Sequence, residues 1–184
     1  MRLVRREELL DYVTYAEQRE TIRRAAMEAK HARRVHVGPC LTFLFENATT
    51  IRYQILEMIR AEKIVREADV QHELDTYNEL LGAEGELGCT LLIEIEDPAE
   101  RDAKLVRWID LPKHAYVEFS DGRRAYARFD ERQLSRERLS SVQYLKFATG
   151  ADVPVALGSD LAELVARTEL LPVQRAALKQ DLAS

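Results

Sequence analysis

The chain is short of most features that mark specialised proteins. It has two cysteines, Cys40 and Cys89, and no C-x-x-C pair. Two thiols cannot staple a domain of 184 residues, and their spacing fits neither a zinc nor a redox motif. They are expected to be small apolar side chains in a reducing compartment. Seven glycines and five prolines are too few for a collagen-like or low-complexity protein. No apolar run approaches the ~20 residues that cross a bilayer. The N-terminal stretch MRLVRREELLDYV carries charges where a signal peptide needs its apolar segment. What remains, at 46% hydrophobic residues, is too apolar for a disordered chain. The expectation is one domain over residues 1–184, cytoplasmic and with no membrane partner, in which residues 1–13 form a peripheral N-terminal helix.

The net charge is only −5, but it is unevenly spread. Residues 1–34 hold nine basic and six acidic groups, residues 46–100 four and fourteen, and residues 101–150 eleven and seven. An acidic middle between basic flanks can complement itself within one fold or present an acidic face to a partner. Nucleic acid is not the expected partner. Lys30, Arg33 and Arg34 have no aromatic platform beside them and read as a solvated helix end near the C-terminal dipole.

Residues 6–13 read as a short helix. Thr14 and Glu17 form a capping box, opening a helix to about residue 33 with the stripe Tyr15, Ile22, Ala25, Ala26 and Ala29. Residues 34–37 and 41–46 alternate with period two and read as a hairpin across Gly38-Pro39. Asn47 or Thr49 caps a helix over about 50–65, whose apolar face is Ile51, Ile55, Met58, Ile59 and Val65. A helix over about 69–81 starts at Asp69, carries Val70, Leu74, Tyr77 and Leu81, and stops at Gly82. Residues 82–88 are a glycine-rich loop that lacks the GK[ST] of a phosphate loop. A strand follows at 89–95. Asp97-Pro98 then opens a helix to about residue 109. Strands 114–119 and 123–129 flank Asp121-Gly122, a type I′ turn signal. Strand 142–148, an extended run at 153–157 and a helix opened by Pro172 complete the chain. Without a regular βαβ repeat, this order predicts an α+β fold: a largely antiparallel sheet with helices packed on one side.

Three constellations carry chemistry. Glu62 lies within an apolar helix arc and Glu73 borders the next, so packed helices would bring two carboxylates into a dry site, or Glu62 pairs with Arg52 or Arg66. Two carboxylate-x-x-His pairs, Glu28/His31 and Asp69/His72, echo di-iron bundles, with Glu57 and Glu62 as added ligands. However, His72 lies opposite its helix's apolar stripe and the later strands do not suit a four-helix bundle. His36, Cys40 and Cys89 form a soft-metal set without a recognised ligand spacing. For nucleophilic catalysis there is no G-x-S-x-G, and Ser140-Ser141 has no neighbouring histidine. Trp108 faces away from the Ala103–Val106 stripe, towards a partner or a hydrophobic edge.

The segments RRVHVGPCLTFLFEN, IRYQILEMIRAEKI, HELDTYNELL, TLLIEIEDPAERDAKL and SSVQYLKF, in this order, resemble an uncharacterised bacterial family named only for its unknown function, the DUF3501-like family. The resemblance spans about residues 14–182 and implies a bacterial cytoplasmic protein. Members are often encoded beside rubrerythrin-like and iron–sulfur proteins. That implies a link to iron or peroxide handling and oxidative stress, and a partner of one of those kinds. It implies no activity, cofactor or catalytic residue. The positions matching its strongest motifs are Glu46, Asn47, Arg52, Glu57, Glu73, Leu74, Asp75, Tyr77 and Asn78. Two expectations follow. The first is a non-catalytic accessory or binding protein; the second is an enzyme with a carboxylate-rich, metal-assisted site around Glu46, Arg52, Glu57, Glu62 and Glu73. Convergence of these groups in one cleft separates the two. Self-association is left open.

Overall fold

The strands of this α+β fold divide between two antiparallel sheets. The computed structural model describes residues 2–131 and 137–184. Sheet A has the order β1-β2-β3-β6, from Arg34–Val37, Leu41–Phe45, Glu86–Ile93 and Val142–Ala148. Sheet B has the order β5-β4-β7-β8, from Arg124–Tyr126, Ala115–Glu118, Ala156–Ser159 and Ala166–Glu169. Their inner faces bury Val35, Phe43, Phe45, Leu91 and Phe147 of sheet A against Val117 and Leu157 of sheet B. Both seams between the sheets are bridged. Arg128 and Lys146 exchange two backbone hydrogen bonds of 2.8 Å, and Thr168 Oγ1 donates to the His36 carbonyl at 2.9 Å. The result is a flattened, nearly closed barrel with little free edge. The helices α4 (Pro98–Arg107) and α6 (Pro172–Leu182) add Leu105 and Leu178 to the same core. Trp108 is in that core at 4% exposure, so it is no partner surface.

A second core lies among α1 (Tyr12–His31), α2 (Ala48–Glu62) and α3 (Glu67–Asn78). These three helices cover part of the outer face of sheet A. Residues 2–11 are not a peripheral helix: only Arg6–Glu8 makes a 3-10 turn, and Val4 and Leu9 are buried in the helical core. Asn78 holds Val4 by both its backbone groups, at 3.0 and 2.9 Å. A four-residue helix, α5 (Leu111–His114), precedes β4.

Several local expectations change for identifiable reasons. Asp11, not Thr14, caps α1: its carboxylate accepts from the amides of Val13 and Thr14, and the Thr14 hydroxyl also donates to it. Of the two expected caps, Asn47 and not Thr49 opens α2, which stops at Glu62. Lys63 takes φ +52°, Lys63 N–H donates to Arg60 C=O, and Ile64 N–H to Ile59 C=O, which is a Schellman motif. Val65 is therefore 80% exposed, and Glu62, the last helical residue, is exposed rather than buried. The glycine-rich loop ends at Glu86, because Glu86–Gly88 already pair in β3. The Asp121-Gly122 hairpin forms as expected, with a different turn. Among the described non-glycine residues only Lys63 has positive φ, so Asp121 does not meet the type I′ requirement. Gly122 N–H donates to Phe119 C=O and Gly122 has φ +84°, the three-residue loop with a glycine bulge. β8 lies between the extended run at 153–157 and Pro172, where the sequence suggested no strand.

Candidate functional site

The pleat of sheet A places Arg34, Leu44, Thr90 and Tyr144 in one cross-strand row on its outer face. Leu80, just past α3, passes over this face at Gly88. Between the helices and the row is a cleft of about 260 Å³. Its floor is Leu44, Thr90, Leu92 and Tyr144; Gln54 and Tyr77 come from α2 and α3, and Lys30 from the end of α1. Glu46, which follows β2, is at its base, 7% exposed. Its Oε2 accepts from the Thr50 hydroxyl at 2.5 Å, and its Oε1 from the Thr90 hydroxyl at 2.8 Å. Lys30 and Arg34 have no carboxylate within 4.0 Å among the described residues; the Lys30 ammonium is 5.5 Å from the centre of the Tyr53 ring. Burial pushes the Tyr77 phenol up. A neighbouring cavity of about 540 Å³ shares Leu80 and Tyr144 with the cleft and continues past Phe129, Arg128 and Lys146.

The nominated residues do not share one site. Glu46 and Tyr77 enter the cleft. Asn47 caps α2 and donates to Asp181 at 3.3 Å. Arg52 donates from Nε to the Glu8 carbonyl at 2.7 Å, and burial lowers its pKa. Glu57 clamps α1 to α2, accepting from Arg19 at 2.7 and 3.0 Å and from the Tyr15 hydroxyl at 2.5 Å. Glu62 and Glu73 line an open depression at the α2–α3 turn together with Asp69 and His72, not a dry carboxylate pair. Asp75 accepts from Gln71 on the surface, Leu74 is core, and Asn78 serves the N-terminal segment. His36 is exposed on the outer face of sheet A, while the free thiols Cys40 and Cys89 are buried in the inner core, where burial pushes both thiols up. That set is split by the sheet. Among the described residues no three His, Cys, Asp or Glu side chains are grouped to hold a metal ion. Glu28 and His31 are exposed on α1. Arg33 is not a solvated cation: it is 6% exposed and pairs with Asp181.

The Glu57 clamp has a pH consequence. The Arg19 guanidinium, aided by the Tyr15 hydroxyl, holds the Glu57 carboxyl below its ordinary value against the opposing effect of burial. A folded-state pKa below the unfolded one contributes stability that is present above the unfolded pKa of ~4.3 and is lost as pH falls through the folded value. Glu57→Gln should therefore cost stability at pH 7 and show a shallower acid limb below about pH 4.5 than the parent. Denaturant midpoints between pH 7 and 3 check this, and parallel limbs would contradict it.

Sequence reasoning missed Lys30, Arg34, Gln54, Thr90 and Tyr144. Strand alternation marks Arg34, Thr90 and Tyr144 as outward, but only the register brings them into one row. It also missed a surface group in which Asp160 accepts from the Tyr126 hydroxyl at 2.6 Å and contacts His114 Nδ1 at 2.8 Å. The Tyr126 bond, then the His114 bond, lowers the Asp160 pKa.

Comparison places this geometry among proteins with no assigned role. Residues 3–182 match the family model described as "Protein of unknown function (DUF3501)". No match was found among curated proteins. The chain is similar to a solved structure, a novel protein of unknown function from Burkholderia pseudomallei K96243. The two are 32% identical, with a TM-score of 0.90, over 98% of this chain and 100% of that one. Among the described residues, no helix is long and apolar enough to cross a membrane.

Proposed function

This chain belongs to the DUF3501 family, and we propose that it is a non-catalytic accessory or binding protein that takes a small anionic molecule in the cleft between α1–α3 and sheet A. One observation carries the reading. Lys30 and Arg34 line a cavity without a carboxylate partner among the described residues, while Glu46 at its base is held by neutral hydroxyls. Two cations without carboxylate partners among the described residues favour an anion, and Arg presents a planar fork to carboxylate or phosphate. The remaining acceptor capacity of Glu46 suits hydrogen-bond donors at the ligand's other end. Glu46, Glu57 and the pair Glu62 and Glu73 stand at three separate places, which disfavours an acid–base pair among them. The setting we propose is iron or peroxide handling in the bacterial cytoplasm, with a rubrerythrin-like or iron–sulfur protein as partner; it rests on the resemblance alone.

A thermal-shift panel tests the ligand reading. Phosphate, sulfate and small mono- and dicarboxylates are compared with neutral analogues at matched ionic strength. An anion at about 100 times its Kd adds ~2.7 kcal/mol and raises Tm by roughly 5–10 °C for a chain of this size. Lys30→Ala and Arg34→Ala should each remove most of that rise. Equal shifts in these variants and the parent would show that the anions bind elsewhere.

A further inference from the structure

A small inorganic anion is much smaller than the concave surface at the cleft. Such an ion displaces two or three waters of about 30 Å³ each, whereas the cleft holds about 260 Å³ and adjoins the cavity of about 540 Å³. Leu80 and Tyr144 line both spaces, so the larger one begins where the row from Arg34 ends. Together they reach the ~300–1,000 Å³ that drug-sized ligands occupy. The two spaces differ in charge. Among the described residues of the cleft, Lys30 and Arg34 outnumber one carboxylate, Glu46. In the larger cavity Arg128 and Lys146 are matched by Glu79 and Asp130, and Arg128 is already paired with Glu86. The cavity also presents apolar lining: Leu80, Phe129, Leu145 and the ring of Tyr144. Leu80 and Phe129 are half-buried and Tyr144 is 41% exposed. Apolar lining with a few convergent charges at one end is the ordinary build of a small-molecule site.

We propose that the cleft and the cavity hold one ligand, a carboxylate with an apolar tail. The inference rests on the cleft reading above and deepens it: the head is on Lys30 and Arg34, and the tail passes Leu80 over the Tyr144 ring into the larger cavity. The single excess positive charge of the cleft suits a monoanion, and a second anionic group would meet Glu79 and Asp130 in the cavity. Strands ~4.8 Å apart put Tyr144 roughly 14 Å from Arg34 along the row, and the Arg34 side chain spans part of that distance. The tail therefore runs on the order of 10 Å to enter the cavity, which suits a chain of about eight to ten carbons rather than a short acid.

Calorimetric titration with butyrate, hexanoate, octanoate and decanoate, each below its micelle-forming concentration, tests this, with octanol as the neutral match to octanoate. Each added methylene should tighten binding by roughly two- to fourfold, so decanoate should bind at least about fiftyfold tighter than butyrate. Octanol should bind at least about tenfold more weakly than octanoate. Arg34→Ala should weaken all four acids by the same factor. Thr76→Trp and Glu79→Trp fill the larger cavity from exposed positions. They should cut the decanoate advantage to under about fivefold and leave butyrate unchanged. Octanol binding as tightly as octanoate, or an undiminished decanoate advantage in both tryptophan variants, would overturn the proposal. Equal affinities for all four acids that still depend on Arg34 keep the cleft reading and remove this one, as would binding of phosphate or sulfate alone. Affinities untouched by Arg34→Ala, or binding of no anion at all, remove both.

Discussion

Arg33→Ala should lower the free energy of unfolding by about 3–5 kcal/mol, the usual cost of breaking a buried ion pair from one side. Arg33 and Asp181 side chains are 7% and 6% exposed, and the guanidinium meets the carboxylate through two bonds of 2.7 and 2.8 Å. A third bond from Arg33, 3.0 Å to the Ala29 carbonyl, and the Asn47 amide at 3.3 Å from Asp181 complete the network. Removing the guanidinium leaves a buried carboxylate with Asn47 as its one remaining donor among the described residues. For a chain of this size the loss corresponds to a fall in Tm of roughly 6–20 °C. Asp181→Ala should cost a similar amount. The double variant Arg33→Met with Asp181→Leu should recover most of it, since two apolar groups of similar volume need no partner. Chemical denaturation of the parent, Arg33→Met, Asp181→Leu and the double variant checks the cycle; additive costs would contradict it. The pair also bears on the site. It ties α6 to the turn between α1 and β1, and Gln174 on α6 donates to the Arg34 carbonyl at 2.7 Å. Lys30 and Arg34 stand on either side of that anchored turn.

Gly88→Ala should also be strongly damaging. A Cβ at this position would be 2.0 Å from the Leu80 carbonyl oxygen and 3.0 Å from the Gly82 nitrogen. Both are backbone atoms, so no side chain can swing aside. The segment after α3 would have to lift off sheet A, at a cost of about 1–3 kcal/mol or more. Leu80 forms the ridge between the 260 and 540 Å³ cavities, so the lift should also weaken anion binding in the cleft. A variant with parental stability and affinity would show that the helices are not seated on Gly88 as described.

Much of the fold was legible where one local signal had no rival. Alternation in 34–37 and 41–46, the Asp97 cap, the glycine after Asp121 and Pro172 each had one reading, and the corresponding elements form. Legibility failed where two signals competed. Asp11 and Thr14 are both good caps, but Thr14 spends its hydroxyl on Asp11. Glu62 fell inside an apolar arc that assumed a helix to residue 65. Its actual end is set by Ile64 folding back to Ile59, with a lysine rather than a glycine in the left-handed position. β8 has no apolar alternation to announce it, because it covers a seam between sheets and is half exposed along its length. The cleft was the least legible part. Glu46 and Tyr77 were reached through the family resemblance, while Lys30 and Arg34 read as a solvated helix end. What separates Arg34 in the cleft from Arg33 in its ion pair is one residue and the side of the chain that the turn after α1 gives each.

The most direct test of the cleft as the binding site is a crystal structure of the protein with the anion that stabilises it most. The account predicts density for that anion in the space bounded by Arg34, Lys30, Tyr77 and Tyr144, with an oxygen within hydrogen-bonding distance of the Arg34 guanidinium. Density confined to another surface, such as the open depression beside His114 and Asp160, with the cleft filled by side chains, would contradict it.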